Sequence, residues 1–265
     1  MKRLQKMSSI RHITIVGSGL AAQYFARLFH DHSFIIDQII SRNSEKGKAL
    51  ATSVRAAWSD DFTQIVYSDL TLLCVKDDAI ETVVKDLSID EGIIAHCAGA
   101  VPMSVLSGFD RPGVVYPLQT LIKGAQSAAV PILIEAGYQQ DVHELKCLME
   151  HCGNPVYSVD SEKRRYYHLA AVFANNFSNA LMHASHSISE SFQLDFELLK
   201  PLISHTLQNV MDGNLPEQLQ TGPARRGDAK TMNSHKLLLA DQPDLKKLYE
   251  AMSAYIATQH PTSKK

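Results

Sequence analysis

Ile13-Thr14-Ile15-Val16-Gly17-Ser18-Gly19-Leu20-Ala21-Ala22 is an apolar run that breaks into Gly-x-Gly-x-x-Ala and continues into the helix-forming Gln23-Tyr24-Phe25-Ala26-Arg27-Leu28. Strand, glycine turn and helix in that order form the fingerprint of a dinucleotide site. Gly17 makes the turn, Gly19 lets the backbone approach a pyrophosphate, and Ala22 lets the helix pack on the strand. The backbone around Ser18, Leu20 and Ala21 then meets the phosphates, because a helix N-terminus carries unpaired N–H donors and the positive end of the helix dipole. Glycine turns that bind nothing also join strands to helices, so the surrounding chain decides.

That surrounding chain alternates strand and helix. Strands are predicted at Ile13–Gly17, Phe34–Ser41, Gln64–Tyr67, Leu70–Val75 and Ile93–His96, with helices starting at Leu20, Ser44 and Asp78. Further strands are predicted at Gly113–Tyr116, Pro131–Ala136 and near Val156–Val159, the last preceded by a helix over Gln139–Cys152. This is the pattern of a doubly wound, mainly parallel α/β sheet. Sheet signals stop near Ser161, and apolar residues then recur at helical spacing through Tyr166–Phe192, Phe196–Met211, Ala229–Leu239 and Leu245–Gln259. Between them Asp212–Gly227, rich in glycine and proline, reads as loop. Two domains are expected: residues 1–160 for the nucleotide, and an all-α domain over residues 161–265 for dimerisation and substrate.

The 265 residues carry a formal net charge of −2 with Lys and Arg spread along the chain, which leaves no electrostatic footprint for nucleic acid. Lys2, Arg3 and Lys6 precede no apolar run of signal-peptide length, and no apolar stretch is long enough to span a bilayer, so no membrane partner is expected. Cys74, Cys97, Cys147 and Cys152 lack paired zinc spacing and read as reduced thiols of a cytoplasmic protein. His143, Cys147 and His151 recur every fourth residue and have the chemistry for a soft divalent metal. Zinc sites draw ligands from more than one segment, so packing on the sheet is the expectation there and no metal is assigned.

The turn after the second strand normally presents an Asp or Glu to the ribose of NAD. Here it reads Ser41-Arg42-Asn43, without a carboxylate. A guanidinium with neighbouring hydroxyl and amide groups suits a 2′-phosphate, which favours NADP as the cofactor. The alternative is a solvated Arg42 beside Ser44 as a helix N-cap. Val75, Lys76 and Asp77 emerge from a buried strand and line the cofactor groove, unless Asp77 or Asp78 only caps the next helix. Ala98 and Gly99, small residues at the next strand edge, admit a nicotinamide. His96 is either a switchable proton donor or a histidine that finishes the strand.

From Tyr167 to Ser189 no residue is charged, yet His168, Asn175, Asn176, Asn179, His183 and His186 occur there. On one helical wheel Leu169, Phe173, Phe177, Ala180, Ala184 and Ile188 form an apolar stripe opposite His168, Asn175, Asn179 and His186, so both faces should be covered. The polar face is the candidate substrate wall, with His168 and Asn175 as catalytic candidates. A subunit interface is the competing use of the same groups.

Taken together, Gly17–Ala22, Ser41-Arg42-Asn43, Tyr116-Pro117-Leu118-Gln119-Thr120, His168–Asn176 and Thr221-Gly222-Pro223-Ala224-Arg225-Arg226-Gly227-Asp228 give the chain a resemblance. It resembles the NADP oxidoreductases of deazaflavin-dependent-like type. More distantly it is similar to pyrroline-5-carboxylate reductase and the 6-phosphogluconate dehydrogenase superfamily. The resemblance implies a Rossmann half and a helical half, a homodimer formed through the helical domain, and an active cleft between the domains. Gln119, Asn176 and Arg226 are substrate-binding candidates, Arg226 as a carboxylate clamp, while Asp228 caps the helix from Ala229. The hydroxyacid dehydrogenases of that superfamily use a Lys followed four residues later by an Asn; His168 is followed there by Val172. The expected activity is NADP-dependent hydride transfer to a small imine or carbonyl substrate. The competing expectations are a non-catalytic NADP-binding sensor or assembly protein, and hydride exchange with a deazaflavin.

Overall fold

The computed structural model describes residues 8–89, 91–122 and 129–261. Eight strands form one sheet: β1 His12–Val16, β2 Ile35–Ile40, β3 Ala57–Ser59, β4 Leu70–Leu73, β5 Ile93–His96, β6 Pro112–Pro117, β7 Ile132–Ala136 and β8 Val156–Ser158. Their order is β3-β2-β1-β4-β5-β6-β7-β8, parallel throughout except for β6 against β7. The order reverses between β1 and β4, whose register runs from Ile13 opposite Leu70 to Val16 opposite Leu73. In open α/β sheets the crevice at the carboxyl ends of such a switch point takes the ligand.

Side chains of successive strand residues leave on opposite faces, and the sheet accordingly carries two cores. Ile13, Ile15, Leu70, Leu72, Ile93 and Ala95 enter the first, and Val16, Leu73 and Ile94 the second. Three helices cover the first face: α1 (Leu20–Asp31), α2 (Ser44–Val54) and α4 (Gln139–His151), the last of which follows β7. Helix α3 (Ile80–Asp86) covers the second with Ile80 and Val83. Phe25 and Phe29 of α1 are fully buried, each contributing on the order of 2 kcal/mol by removal from water.

Gln64–Tyr67 is not a strand. Its place beside β2 belongs to β3, and the buried Gln38 amide bonds the Gln64 carbonyl (3.0 Å) and the Val66 N–H (3.1 Å), so a side chain satisfies backbone groups that a ladder would otherwise pair.

After β8 come α5 (Ser161–Ala171), a π-helical turn (Val172–Phe177), α6 (Ser178–Ser191), a 3₁₀ turn (Phe196–Leu199), α7 (Lys200–Met211), α8 (Pro216–Leu219), α9 (Pro223–Arg226), α10 (Ala229–Leu238) and α11 (Pro243–Gln259). The predicted loop Asp212–Gly227 holds two single-turn helices, each started by a proline whose fixed φ suits the first helical position. The chain divides into two compact units after Phe177, later than the change of secondary structure at Ser161. Helix α5 stays with the sheet because it is pinned there by a buried arginine described below. The π turn takes more residues per turn, so the single wheel drawn across Leu169–Ile188 loses its phase. Leu169, Phe173 and Phe177, expected to be covered, are exposed. Among the described residues no helix is long and apolar enough to cross a membrane.

Candidate functional site

At the carboxyl end of β1, Gly17 has φ +128°, and a Cβ there would lie 2.3 Å from the Cys74 carbonyl oxygen, so only glycine fits against the neighbouring strand. Its N–H donates to the Ile40 carbonyl at 2.7 Å, and the Gln23 amide braces the turn by donating to the Ser18 carbonyl at 3.2 Å. Gly19 is the N-cap of α1, where no side chain caps the helix and no acidic residue occupies the first turn. Open space lies where its Cβ would be. The first-turn N–H groups around Leu20 and Ala21, which have no intrahelical partners, therefore open beside the switch point with the positive end of the helix dipole. An anion fits this cradle without displacing any protein group.

The turn after β2 is built differently from expectation. Ser41 is buried and its hydroxyl is engaged, donating to the Asn43 carbonyl (3.2 Å) and accepting from the Trp58 indole (3.3 Å). Asn43, rather than Ser44, caps α2 by accepting the Lys46 N–H at 2.9 Å. Both side chains thus shape the turn. Arg42 and Asn43 are both exposed in it, and Arg42 shares an open cleft of about 590 Å3 with Lys76, Asp60 and Asp78. Val75 packs partly against the second core. Neither Asp77 nor Asp78 makes a capping bond to the helices that follow.

At the end of β5, His96 is fully buried and its Nδ1 accepts the Ala98 N–H at 3.2 Å. Burial, with help from the nearby Arg164 charge, pushes its pKa down to about 4. His96 is therefore a neutral ring at neutral pH that ties the 96–98 turn, which favours the strand-finishing use of this histidine. Ala98 is buried beneath that turn. Beside it, a Cβ on Gly99 would stand 2.6 Å from His168 Nδ1 and 2.9 Å from Tyr116 Cζ, so both rings abut the Gly99 backbone. The two rings meet edge to face at 5.9 Å between centroids, and Tyr116 Oη lies 3.0 Å from His168 Nδ1. Burial and the Asp77 carboxylate hold the Tyr116 phenol above its usual range.

His168 is placed there by Arg164, one turn earlier on α5. Arg164 is fully buried, pairs with Glu135 of β7, and donates to the Val101 carbonyl (2.5 Å) and Ser161 Oγ (3.2 Å). Ser161 Oγ donates to Glu135 at 2.8 Å and accepts the Met103 N–H at 2.9 Å. One charge cluster thereby fastens the first turn of α5 to β7 and to the loop after Gly99. Sequence reasoning missed both Arg164 and Tyr116. Glu135, the one charged residue in the apolar strand Ile132–Ala136, was the available signal for a buried partner.

A cleft of about 670 Å3 opens beside this pair, lined by Tyr116, Gln119, Thr120, His168, Asn175 and Asn176 among others, all of the first unit. Asn175 donates its amide to Thr120 Oγ1. The structure thus brings the predicted His168, Asn175, Asn176 and Gln119 together and adds Tyr116 and Thr120. Arg226 is an exposed residue of the second unit. Asp228 caps α10, accepting the Thr231 N–H at 3.0 Å. In the His143, Cys147 and His151 row, to which no metal is assigned, His151 meets Phe34 edge to face with centroids 5.5 Å apart, while His143 and Cys147 meet at 3.5 Å along α4.

Residues 130–256 match the family model described as a domain of unknown function (DUF2520). The solved structure of a "putative NADP oxidoreductase" from Bacteroides fragilis is 32% identical, with TM-score 0.83 over 95% of this chain and 98% of that one. A protein from Thermotoga maritima is 22% identical, with TM-score 0.69 over 94% and 98%. An imine reductase from Myxococcus stipitatus in complex with NADP+ is 13% identical, with TM-score 0.67 over 94% and 95%. At the latter two identities the likeness shows the fold alone. Among curated proteins no sequence matches.

Proposed function

The chain belongs to the family of the Bacteroides fragilis "putative NADP oxidoreductase", with DUF2520 over its C-terminal part, and on that premise we propose that it is an NADP-dependent oxidoreductase acting on a small imine or carbonyl compound. The observation that carries this is one sheet edge bearing both an uncapped glycine-turn helix N-terminus and, at Gly99, a tyrosine–histidine pair open to a cleft.

The residues present fit NADP. The N–H groups of α1 take the pyrophosphate, and Gly17 and Gly19 keep side chains out of its way. Arg42 offers a 2′-phosphate planar charge-assisted donors, and Lys76 adds a second cation in the same cleft. Ala98 and Gly99 form the nicotinamide side of the groove. Bound in its reduced form, the cofactor supplies hydride; alignment is the protein's task. His168 holds a proton near the reacting atom, and Asn175, Asn176 and Gln119 orient the substrate. The partner we assign to the exposed Leu169, Phe173 and Phe177 is a second copy of this chain.

Fluorescence titration with NADPH and NADH tests the cofactor. Tight NADPH binding is expected, weakened about 10- to 100-fold in Arg42→Ala, or about 1.4–2.8 kcal/mol, with NADH binding unchanged. Binding of neither nucleotide by the wild type overturns the proposal.

A further inference from the structure

Resting on the reductase reading, we infer that the substrate is a carbonyl compound rather than an imine, and that Tyr116 gives its oxygen the proton while His168 restores the phenol.

The two substrates make opposite demands. A carbonyl that accepts hydride becomes an alkoxide, which needs a proton donor in the site. A protonated imine becomes a neutral amine on the same addition. It needs no donor at that step; it needs an anion to hold the cationic reactant. The cleft is equipped for the first. Its described lining holds a phenol, an imidazole, a hydroxyl and three amides, and neither Asp nor Glu. The nearby carboxylates stand elsewhere. Glu135 is taken by Arg164 and Ser161, Glu162 lies with Arg165 on an adjoining cleft that His168 and Val172 also line, and Asp77 acts on Tyr116 through its field.

The geometry of the pair orders the proton transfers. With Nδ1 protonated, His168 donates to Tyr116 Oη and leaves the phenol O–H free for the cleft. As the carbonyl carbon gains a hydride, carrying two electrons from reduced nicotinamide, its π pair moves to oxygen and that oxygen takes the phenol proton. The phenolate takes the Nδ1 proton as Nε2 takes one from solvent in the same relay, since His168 is only half-buried, and exchange of the Nε2 proton with solvent returns the ring to its Nδ1–H tautomer before the next turnover. The substrate ends as an alcohol and the protein regains its starting charge. Gly99 is what lets both rings reach the same stretch of backbone.

The test offers the protein and NADPH matched cyclic ketones and cyclic imines, together with aldehydes. It compares wild type with Tyr116→Phe, His168→Asn and, as a control, Tyr157→Phe on the exposed face of β8. Carbonyl turnover is expected, slower in D2O, with kcat reduced about 100-fold or more in Tyr116→Phe and about 10-fold in His168→Asn. Tyr157→Phe should match wild type, and NADPH affinity by fluorescence should stay within about twofold in every variant, since none of the three side chains belongs to the proposed phosphate cradle at Gly17–Ala21. Independently of activity, the ultraviolet tyrosinate difference between wild type and Tyr116→Phe should appear above about pH 10, the ordinary phenol value. Turnover of imines alone, or full carbonyl activity in Tyr116→Phe, overturns the inference and leaves the reductase reading standing; NADPH binding with turnover of neither class overturns the inference and favours a non-catalytic NADP-binding protein. Failure of the wild type to bind NADPH overturns both.

Discussion

His96 and His168 both lie on the carboxyl side of the sheet, and burial separates their uses. His168 borders a cleft and touches a phenol; His96 is sealed in, its Nδ1 spent on the Ala98 N–H. Because burial pushes the folded-state pKa of His96 down to about 4 from its ordinary 6.5, the unfolded chain binds the extra proton between those values. Stability is therefore fully present above pH 6.5 and is lost as pH falls toward 4, by an amount on the order of 3 kcal/mol. Urea midpoints at pH 7.5 and 4.5 should differ much less in His96→Asn, whose amide oxygen can still accept the Ala98 N–H. An unchanged pH difference in that variant would refute the assignment.

Helix α5 depends on one ion pair more than on its apolar face, since its buried residue is Arg164. Arg164→Met leaves Glu135, only 16% exposed, without its counterion, and this should cost about 3–5 kcal/mol in chemical denaturation. Adding Glu135→Leu should recover part of that loss, because replacing both members of a buried pair is far milder than removing one. A double variant as unstable as the single would show that the charges themselves matter little. Among the other elements, β1, β2, β4 and α1 were legible from side-chain period and turn chemistry alone. The error at Gln64–Tyr67 arose because alternation cannot reveal that a remote Gln38 amide will satisfy the backbone first.

Taken as a whole, the molecule has two compact units, the first of which presents exposed apolar side chains at Leu169, Phe173 and Phe177. Light scattering on the eluting protein should give about twice the chain mass, and Phe173→Asp should return it toward the monomer by placing a charge in an apolar contact. A monomeric wild type at micromolar concentration would count against the assigned partner.

The glycine turn, the doubly wound sheet and the change to helices near Ser161 could be read in the residues because glycine conformation and hydrophobic period are local properties. His168 and Asn175 were singled out by a local anomaly, a long helical stretch without charge. The division after Phe177, the hydrogen bonds of Ser41 and Asn43 within their turn, and the Tyr116–His168 and Arg164–Glu135 pairings were not readable in this way. Tyr116 meets His168 across 52 residues of chain and Arg164 meets Glu135 across 29. Whether a side chain serves the fold or the chemistry depends on which distant groups are buried beside it, and only the folded chain decides that.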